Sequence, residues 1–193
     1  MKIIIDNATR EDASLIADAI LEAVGPEITG HLAGDSHTVE DIHAIFQRLA
    51  QRNDTQYSYL NTRIARTEDG TPMGACISYD GADLKRLRRP FFHEANEILG
   101  WDMTDDEVEA LPGETQPDEF YLDTLMVLPQ FRGQGVAKAL IADAIHKAQV
   151  TGKPVGLLCD MDNSRAYRLY ESVGFKNIGT RPFAGHMMYH MQA

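Results

Sequence analysis

Residues 125–138 read Leu-Met-Val-Leu-Pro-Gln-Phe-Arg-Gly-Gln-Gly-Val-Ala-Lys, a strand-like run that passes through Pro129 into two glycines and then an amphipathic segment. Gly133 and Gly135 permit backbone conformations and close approaches that side chains forbid. A helix opening at Gly135 turns unpaired N–H groups and the positive end of its dipole toward the loop. That arrangement binds phosphate or pyrophosphate without a cationic side chain. Arg132 adds charge beside it, and Lys138 lies one turn in. The spacing excludes two other phosphate loops. There is no Gly-x-x-x-x-Gly-Lys-Ser/Thr, and Gly-x-Gly-x-x-Gly fails because Lys138 stands where the third glycine belongs. Two glycines alone equally describe a plain strand-to-helix turn.

Other reactive residue types are less informative. Cys159 closes the apolar run Val155-Gly-Leu-Leu-Cys159 and reads as a small buried hydrophobe rather than a nucleophile. Seven histidines show no metal spacing: His186 and His190 share a face of a predicted strand, with no Cys/His/Asp cluster beside them, so no metal is expected. The stretch Asp102-Met-Thr-Asp105-Asp106-Glu107-Val-Glu109, with Glu114 and Asp118, would steer a cationic amine. Thr104-Asp-Asp-Glu107 is also a good helix cap, and the two readings are compatible. Trp101, Phe91 and Phe92 either pack this region onto the core or line a cleft.

The elements that must position these residues follow from periodicity. Lys2 to Ala8 is β-rich, and Thr9 with Asp12 opens a helix whose stripe is Ala13, Ile16, Ala17, Ile20, Leu21 and Val24. Gly25-Pro26 stops it, and 25–37 reads as a loop. Thr38 with Asp41 caps a second helix through Leu49. Residues 57–67 and 72–79 flank the turn Glu68-Asp69-Gly70 as a hairpin. Residues 81–116 carry a basic helix start, a break at Pro90, an amphipathic piece through Leu99 and an acidic loop. A strand at Phe120 to Leu128, a helix from about Val136 to Val150, a strand at Pro154 to Asp160 and a helix at Ser164 to Val173 follow. Gly174 to Arg181 and His186 to Met191 close the chain as strands. The alternation in the second half implies a right-handed βαβ crossover, so the sheet is mixed.

Whole-chain arithmetic bounds the rest. The chain has 193 residues, 44% hydrophobic and 24% charged, with 18 basic against 29 acidic side chains for a net charge of −11. A chain of this length buries roughly 70% of its unfolded surface and needs no staples. Two cysteines make no disulfide framework and fit a reducing, cytoplasmic setting. No apolar run approaches the ~20 residues of a membrane span, and the N-terminus lacks a signal-peptide core. The acidic balance argues against nucleic acid as main partner, the local cluster Lys85, Arg86, Arg88, Arg89 reading as a solvated face.

Two motifs together point to a family. Arg132-x-x-Gly135-x-Ala137 after Leu125-x-Val127-x-Pro129 resembles the coenzyme-binding motif of the GNAT superfamily of acyl-CoA-dependent N-acetyltransferases. Asn163-Ser-Arg-Ala166-Tyr-Arg-Leu169-Tyr170-Glu-Ser-Val-Gly174-Phe175 is similar to its Asn-x-x-Ala-x-x-Leu-Tyr-x-x-x-Gly-Phe pattern. The opening Ala8-Thr9-Arg10-Glu11-Asp12-Ala13 resembles its first strand-to-helix junction. The resemblance spans nearly the whole chain as one domain, 1–193, and is absent from an insertion at about 81–118. It implies an α/β fold: a mixed, mostly antiparallel sheet with one splayed parallel strand pair, flanked by helices.

The resemblance also implies roles. Acetyl-CoA would be the co-substrate, its pantetheine arm paired with backbone of Leu125, Met126 and Val127, its pyrophosphate on the N–H groups of Arg132, Gly133, Gln134, Gly135, Val136, Ala137 and Lys138. Asn163 would hydrogen-bond the pantetheine region. Tyr170 would protonate the leaving thiolate, a task suited to a phenol of reference pKa ~10. An attacking alkylammonium, pKa ~10.4, must first lose a proton. Family members often place an acidic residue on the strand before the turn; Asp123 matches that position as first candidate base, with Glu119 second, alternation putting Glu119, Tyr121, Asp123 and Leu125 on one face, and a cap or salt bridge near the sheet opening is the other reading of Asp123. The backbone N–H near Val127 would polarise the thioester carbonyl. The expected activity is acetyl transfer from acetyl-CoA directly to a primary amine of a small molecule. A protein N-terminus or lysine as acceptor, and a non-catalytic acyl-CoA-binding module, are the alternatives. A homodimer through the tail Met187 to Met191 fits family habit.

Overall fold

The computed structural model describes residues 2–193. Its elements in chain order are β1 (Ile4–Asn7), α1 (Ala13–Ala33), α2 (Val39–Ala50), β2 (Thr62–Arg66), β3 (Pro72–Asp80), α3 (Leu84–Leu99), α4 (Asp105–Ala110), β4 (Phe120–Val127), α5 (Val136–Thr151), β5 (Val155–Asp160), α6 (Ser164–Ser172), β6 (Lys176–Phe183) and β7 (His186–Gln192). The seven strands form one sheet in the order β1-β2-β3-β4-β5-β7-β6. Every pairing is antiparallel except β4 with β5. This is the mixed, mostly antiparallel α/β sheet that the motifs imply.

The helix starts follow their capping residues. Thr38 Oγ1 accepts from Asp41 N–H at 3.2 Å, and Asp41 Oδ2 accepts from Thr38 N–H at 2.8 Å. Thr104 and Glu107 repeat the reciprocal pair at α4. Two expected breaks turn out differently. Gly25 does leave helical geometry, at φ 78° and ψ 169°, but the chain resumes a helix at once, so 25–37 is mostly helix rather than loop. The reason is local: Pro26 occupies a first helical turn, where its missing N–H costs nothing. Pro90 does not break α3, which runs on through it to Gly100 at φ 70°. One lost hydrogen bond there is outweighed by the buried stripe Leu84, Leu87 and Ala95.

Each sheet face has its own core. On one, α1, α2 and α3 bury Ile16, Ile20, Ile45, Phe46 and Leu87 against Ile77, Tyr79, Tyr121 and Met126. On the other, α5 buries Leu140, Ile141 and Ala144 against Cys76, Leu122 and Leu157. Full burial of one such side chain stabilises by ~1.5–3 kcal/mol.

Two irregularities of β4 set up the site. It pairs with β5 only at Phe120–Val155 and Tyr121–Gly156, beyond which the strands part. A bulge also falls at Asp123: Ile77 faces Thr124, yet its neighbour Ser78 faces Leu122. The extra residue reverses the alternation. Tyr121 therefore joins the α1 side while Leu125 joins the α5 side, and the expected common face of Glu119, Tyr121, Asp123 and Leu125 does not exist. At the other end of the sheet, β7 is hydrogen-bonded to β5 on one side and β6 on the other. Over Met188 to Met191 the tail is therefore paired on both edges within one chain, and Met187 is paired with β6 alone. Ala184 and Gly185, at φ 47° and 85°, make the tight turn between β6 and β7.

Candidate active site

Leu128 N–H donates to Met73 O on β3, whereas Phe120 N–H donates to Pro154 O on the β5 side. Counting back from Leu128, the backbone groups of Leu125 and Val127 point away from β3 into the gap where β4 and β5 separate. Met126 points its backbone at β3 and its side chain into the α1-side core. The gap thus has one strand edge along Leu125 to Val127 where, among the described residues, the outward Leu125 groups and the Val127 N–H have no strand partner and Val127 O is taken by Arg132, and this edge runs straight into the glycine turn.

The turn is exposed from Arg132 to Gly135. Gly133 takes φ 76° and Gly135 φ 88°, both left-handed, and a Cβ at either would meet nothing within 4 Å. Protein packing therefore does not demand glycine here; backbone conformation does, and so would any ligand lying over the turn. Gly135 caps α5 without a side-chain hydrogen bond, leaving the first N–H groups at Val136, Ala137 and Lys138 available. Arg132 bridges elements: its Nε donates to Val127 O at 2.9 Å and its Nη2 pairs with Glu22 of α1 at 2.6 Å. Gln134 Nε2 donates to Gln130 O at 2.9 Å. On the facing strand, Asn163 follows β5 and caps α6, its Oδ1 accepting from Ala166 N–H at 3.0 Å.

The candidate acid and base lie on opposite faces of the sheet. Tyr170 belongs to the α5-side core, its ring 5.7 Å from that of Phe175. Burial raises its phenol above the ordinary value, with Cys159 and Cys76 nearby, so it is a neutral donor at pH 7. Asp123 turns to the α1 side, where Tyr79 donates to Oδ2 at 2.7 Å and Thr124 Oγ1 to Oδ1 at 2.8 Å. Burial raises its carboxyl, while the hydrogen bonds from Tyr79, Thr124 and Gln56 pull it back.

Glu119 stands elsewhere. It precedes β4, is fully buried, and accepts from Gln116 N–H at 2.9 Å, His190 Nε2–H at 2.8 Å and Gln192 Nε2 at 2.9 Å. A Cβ at Gly156 would lie 1.9 Å from its Oε2. Glu119 thus fastens the base of the β4–β5 pair to β7. Cys159 is buried, and burial pushes its thiol up to about 11 with the Asp160 charge adding to it, so it is no thiolate nucleophile at pH 7. An open cavity of about 510 Å³, lined by Ser78, Asp83, Arg86, His146 and Lys147 among others, contains none of the residues singled out from the motifs.

Several residues near Asp123 carry no motif signal: Gln56, Tyr57, Tyr79, Tyr121 and Glu114. The first two precede β2 and the last lies in the 81–118 segment. Only the Tyr79–Tyr121 pairing, with rings 5.9 Å apart, follows from strand register.

Comparison with known proteins bears on the family and the fold. The model of the Acetyltransferase (GNAT) family matches residues 30–175. The chain is 36% identical over 69 residues to the N-alpha-acetyltransferase RimI of Mycobacterium tuberculosis, a match covering 36% of this chain and 42% of that protein. It is 39% identical over 70 residues to an uncharacterized protein of Mycobacterium leprae, covering 36% of this chain and 19% of that one. The chain thus spans less than half the length of either curated relative. Among solved structures, an N-acetyltransferase from Staphylococcus aureus Mu50 superposes with a TM-score of 0.77 at 20% identity, covering 98% of this chain and 100% of that one. A structure described as an acetyltransferase gives 0.75 at 28% identity, covering 98% and 97%. By motif, sheet order and family match together, the chain belongs to the GNAT acetyltransferase family.

Proposed function

We propose that the protein transfers the acetyl group of acetyl-CoA directly to a primary amine, with a small molecule as acceptor. The observation that carries this reading is the β4 edge at Leu125 to Val127, left by β5 and open save for Val127 O, leading into the left-handed Gly133–Gly135 turn, with Asp123 on one face of the gap and Tyr170 on the other. Pantetheine pairs with that edge as an added strand, and the pyrophosphate rests on the N–H groups from Arg132 to Lys138. Asn163 has its Nδ2 free to donate to the pantetheine region, since only Oδ1 serves the cap. Asp123 accepts the proton that the ammonium must lose, and Tyr170 supplies one to the departing thiolate. The Val127 N–H polarises the thioester carbonyl. No acyl-enzyme is needed.

A protein N-terminus is the second reading, favoured by the name of the Mycobacterium tuberculosis relative over the matched 69 residues. Coenzyme thiol release from acetyl-CoA, followed over a panel of small amines and short peptides, tests both. The leading reading expects release that depends on small amines. Release with peptides alone favours the second. Binding without release on any amine leaves an acyl-CoA-binding module.

A further inference from the structure

A regular strand sends neighbouring side chains to opposite faces. β4 breaks that rule at one place. Ile77 and Tyr79 of β3 belong to the α1-side core, and they stand opposite Thr124 and Tyr121 of β4. Directly opposed residues share a face, so Tyr121 and Thr124 both lie on the α1 side. The odd step from 121 to 124 would forbid this without the bulge at Asp123. The bulge therefore gives Asp123 two hydroxyl neighbours, one across the pair and one beside it. Tyr79 Oη donates to Asp123 Oδ2 at 2.7 Å, and Thr124 Oγ1 donates to Oδ1 at 2.8 Å. The two donors are buried, at 3% and 2% exposure, whereas Asp123 is only half-buried. Each carboxylate oxygen thus has one hydroxyl donor. An ionised carboxylate offers about four lone-pair positions, so each oxygen keeps room for an incoming donor.

These hydroxyls matter because nothing else holds the charge. Among the described residues no cationic side chain forms an ion pair with Asp123. The ionisable groups that feel its charge are Tyr57 before β2, Cys76 and Tyr79 on β3, Glu114 before β4 and Tyr121 on β4. From α1, which packs on this face of β4, come the apolar side chains Ile16, Ala17 and Ile20. Burial pushes the Asp123 carboxyl above its ordinary value, and the hydrogen bonds of Tyr79, Thr124 and Gln56, in that order, draw it back. Hydrogen bonds made to the charged form of an acid favour that form. Tyr79 keeps its own proton: burial first, then the charges of Asp123 and Glu114, push its phenol well above the ordinary value. It is therefore a donor throughout the neutral range.

Resting on the acetyl-transfer reading above, we propose that Tyr79 is a positioning residue for the reaction: its hydroxyl, with that of Thr124, holds the Asp123 carboxylate as acceptor of the proton that the attacking ammonium gives up. In that step an N–H bond of the ammonium breaks and an O–H bond forms on Asp123. The lone pair left on nitrogen attacks the thioester, and Asp123 later returns its proton to solvent. Tyr79 touches neither substrate nor coenzyme in this account and acts through Asp123 alone. Taking away its hydroxyl leaves the carboxylate with one donor fewer, so that it is protonated at a higher pH and serves as a base over a narrower range.

The test compares wild type, Tyr79→Phe and Thr124→Val on three readouts: acetyl-CoA affinity, the carbon-NMR titration of the Asp123 carboxyl, and the pH profile of kcat/KM for thiol release with n-butylamine. Phe keeps the ring that packs 5.9 Å from Tyr121, and Val keeps the shape of Thr. Both variants are expected to keep coenzyme affinity. In Tyr79→Phe the carboxyl titration and the acidic limb of the profile should move together to higher pH by about one unit, an about tenfold loss of kcat/KM below the limb. Thr124→Val should move both in the same direction. A hydroxyl that serves only the fold would lower the melting temperature and leave both titrations where they are, which overturns the proposal. A carboxyl that titrates higher while the limb stays put also overturns it and leaves acetyl transfer standing. Wild type that binds no acetyl-CoA, or binds it and releases no thiol with any amine of the panel, overturns the acetyl-transfer reading and this role with it, and the affinity readout tells those two cases apart.

Discussion

Tyr170 is the residue at which a structural and a chemical role can be separated most cleanly. Its ring packs against Phe175, and its carbonyl accepts from Phe175 N–H at 3.1 Å. Phe at 170 keeps the ring contact and removes only the hydroxyl. Tyr170→Phe should therefore unfold within a degree or two of wild type and bind acetyl-CoA normally. Its kcat should fall by about a hundredfold or more, the usual worth of a positioned proton donor. Differential scanning fluorimetry and steady-state thiol release check the two halves. Undiminished turnover would leave Tyr170 as core packing. At this scale the sequence was uneven in what it disclosed. Gly133 and Gly135 announce themselves by spacing, and Asn163 and Tyr170 by the resemblance of one continuous segment to the family's motif. Tyr79 does not, because it meets Asp123 only through the pairing of β3 with β4 across a bulge.

Among the elements, the β4–β5 pair matters most. It is joined at two positions and then opens, so its geometry depends on whatever holds the joined end. Glu119 does this from beneath, reaching His190 and Gln192 of β7, and Gly156 exists to let its carboxylate pass. Gly156→Ala should destabilise the fold by about 1–3 kcal/mol through overpacking, read as a lower midpoint of urea unfolding with unchanged slope. A variant as stable as wild type would show that this clamp is slack. Most elements were legible from periodicity and caps, since Thr38, Thr104 and the stripe of α2 are local signals. The continuity of α1 past Gly25 and of α3 through Pro90 was not. Local breakers forecast a stop, and tertiary burial decides whether the helix resumes. The bulge at Asp123 carries no periodic signal for the same reason: it is a property of the pairing with β3, not of β4 alone.

Over the whole molecule, a chain of net charge −11 is asked to hold a polyanionic coenzyme. The proposed answer is a division of surfaces. Main-chain N–H groups at the start of α5 take the pyrophosphate, while Asp123 on the far side of the gap favours a cation. The central claim is that the turn at Gly135 is a coenzyme site. Gly135 sits at φ 88° with open space around it, so Gly135→Val strains the backbone by roughly 1–2 kcal/mol and fills the volume above the turn without striking the protein. The most direct measurement is acetyl-CoA binding by isothermal titration calorimetry to wild type and Gly135→Val. A coenzyme site at this turn requires saturable binding to wild type and affinity at least about tenfold weaker in the variant, a loss of ~1.4 kcal/mol or more, with the variant still folded. Equal affinity in the two proteins, or none in wild type, would contradict it.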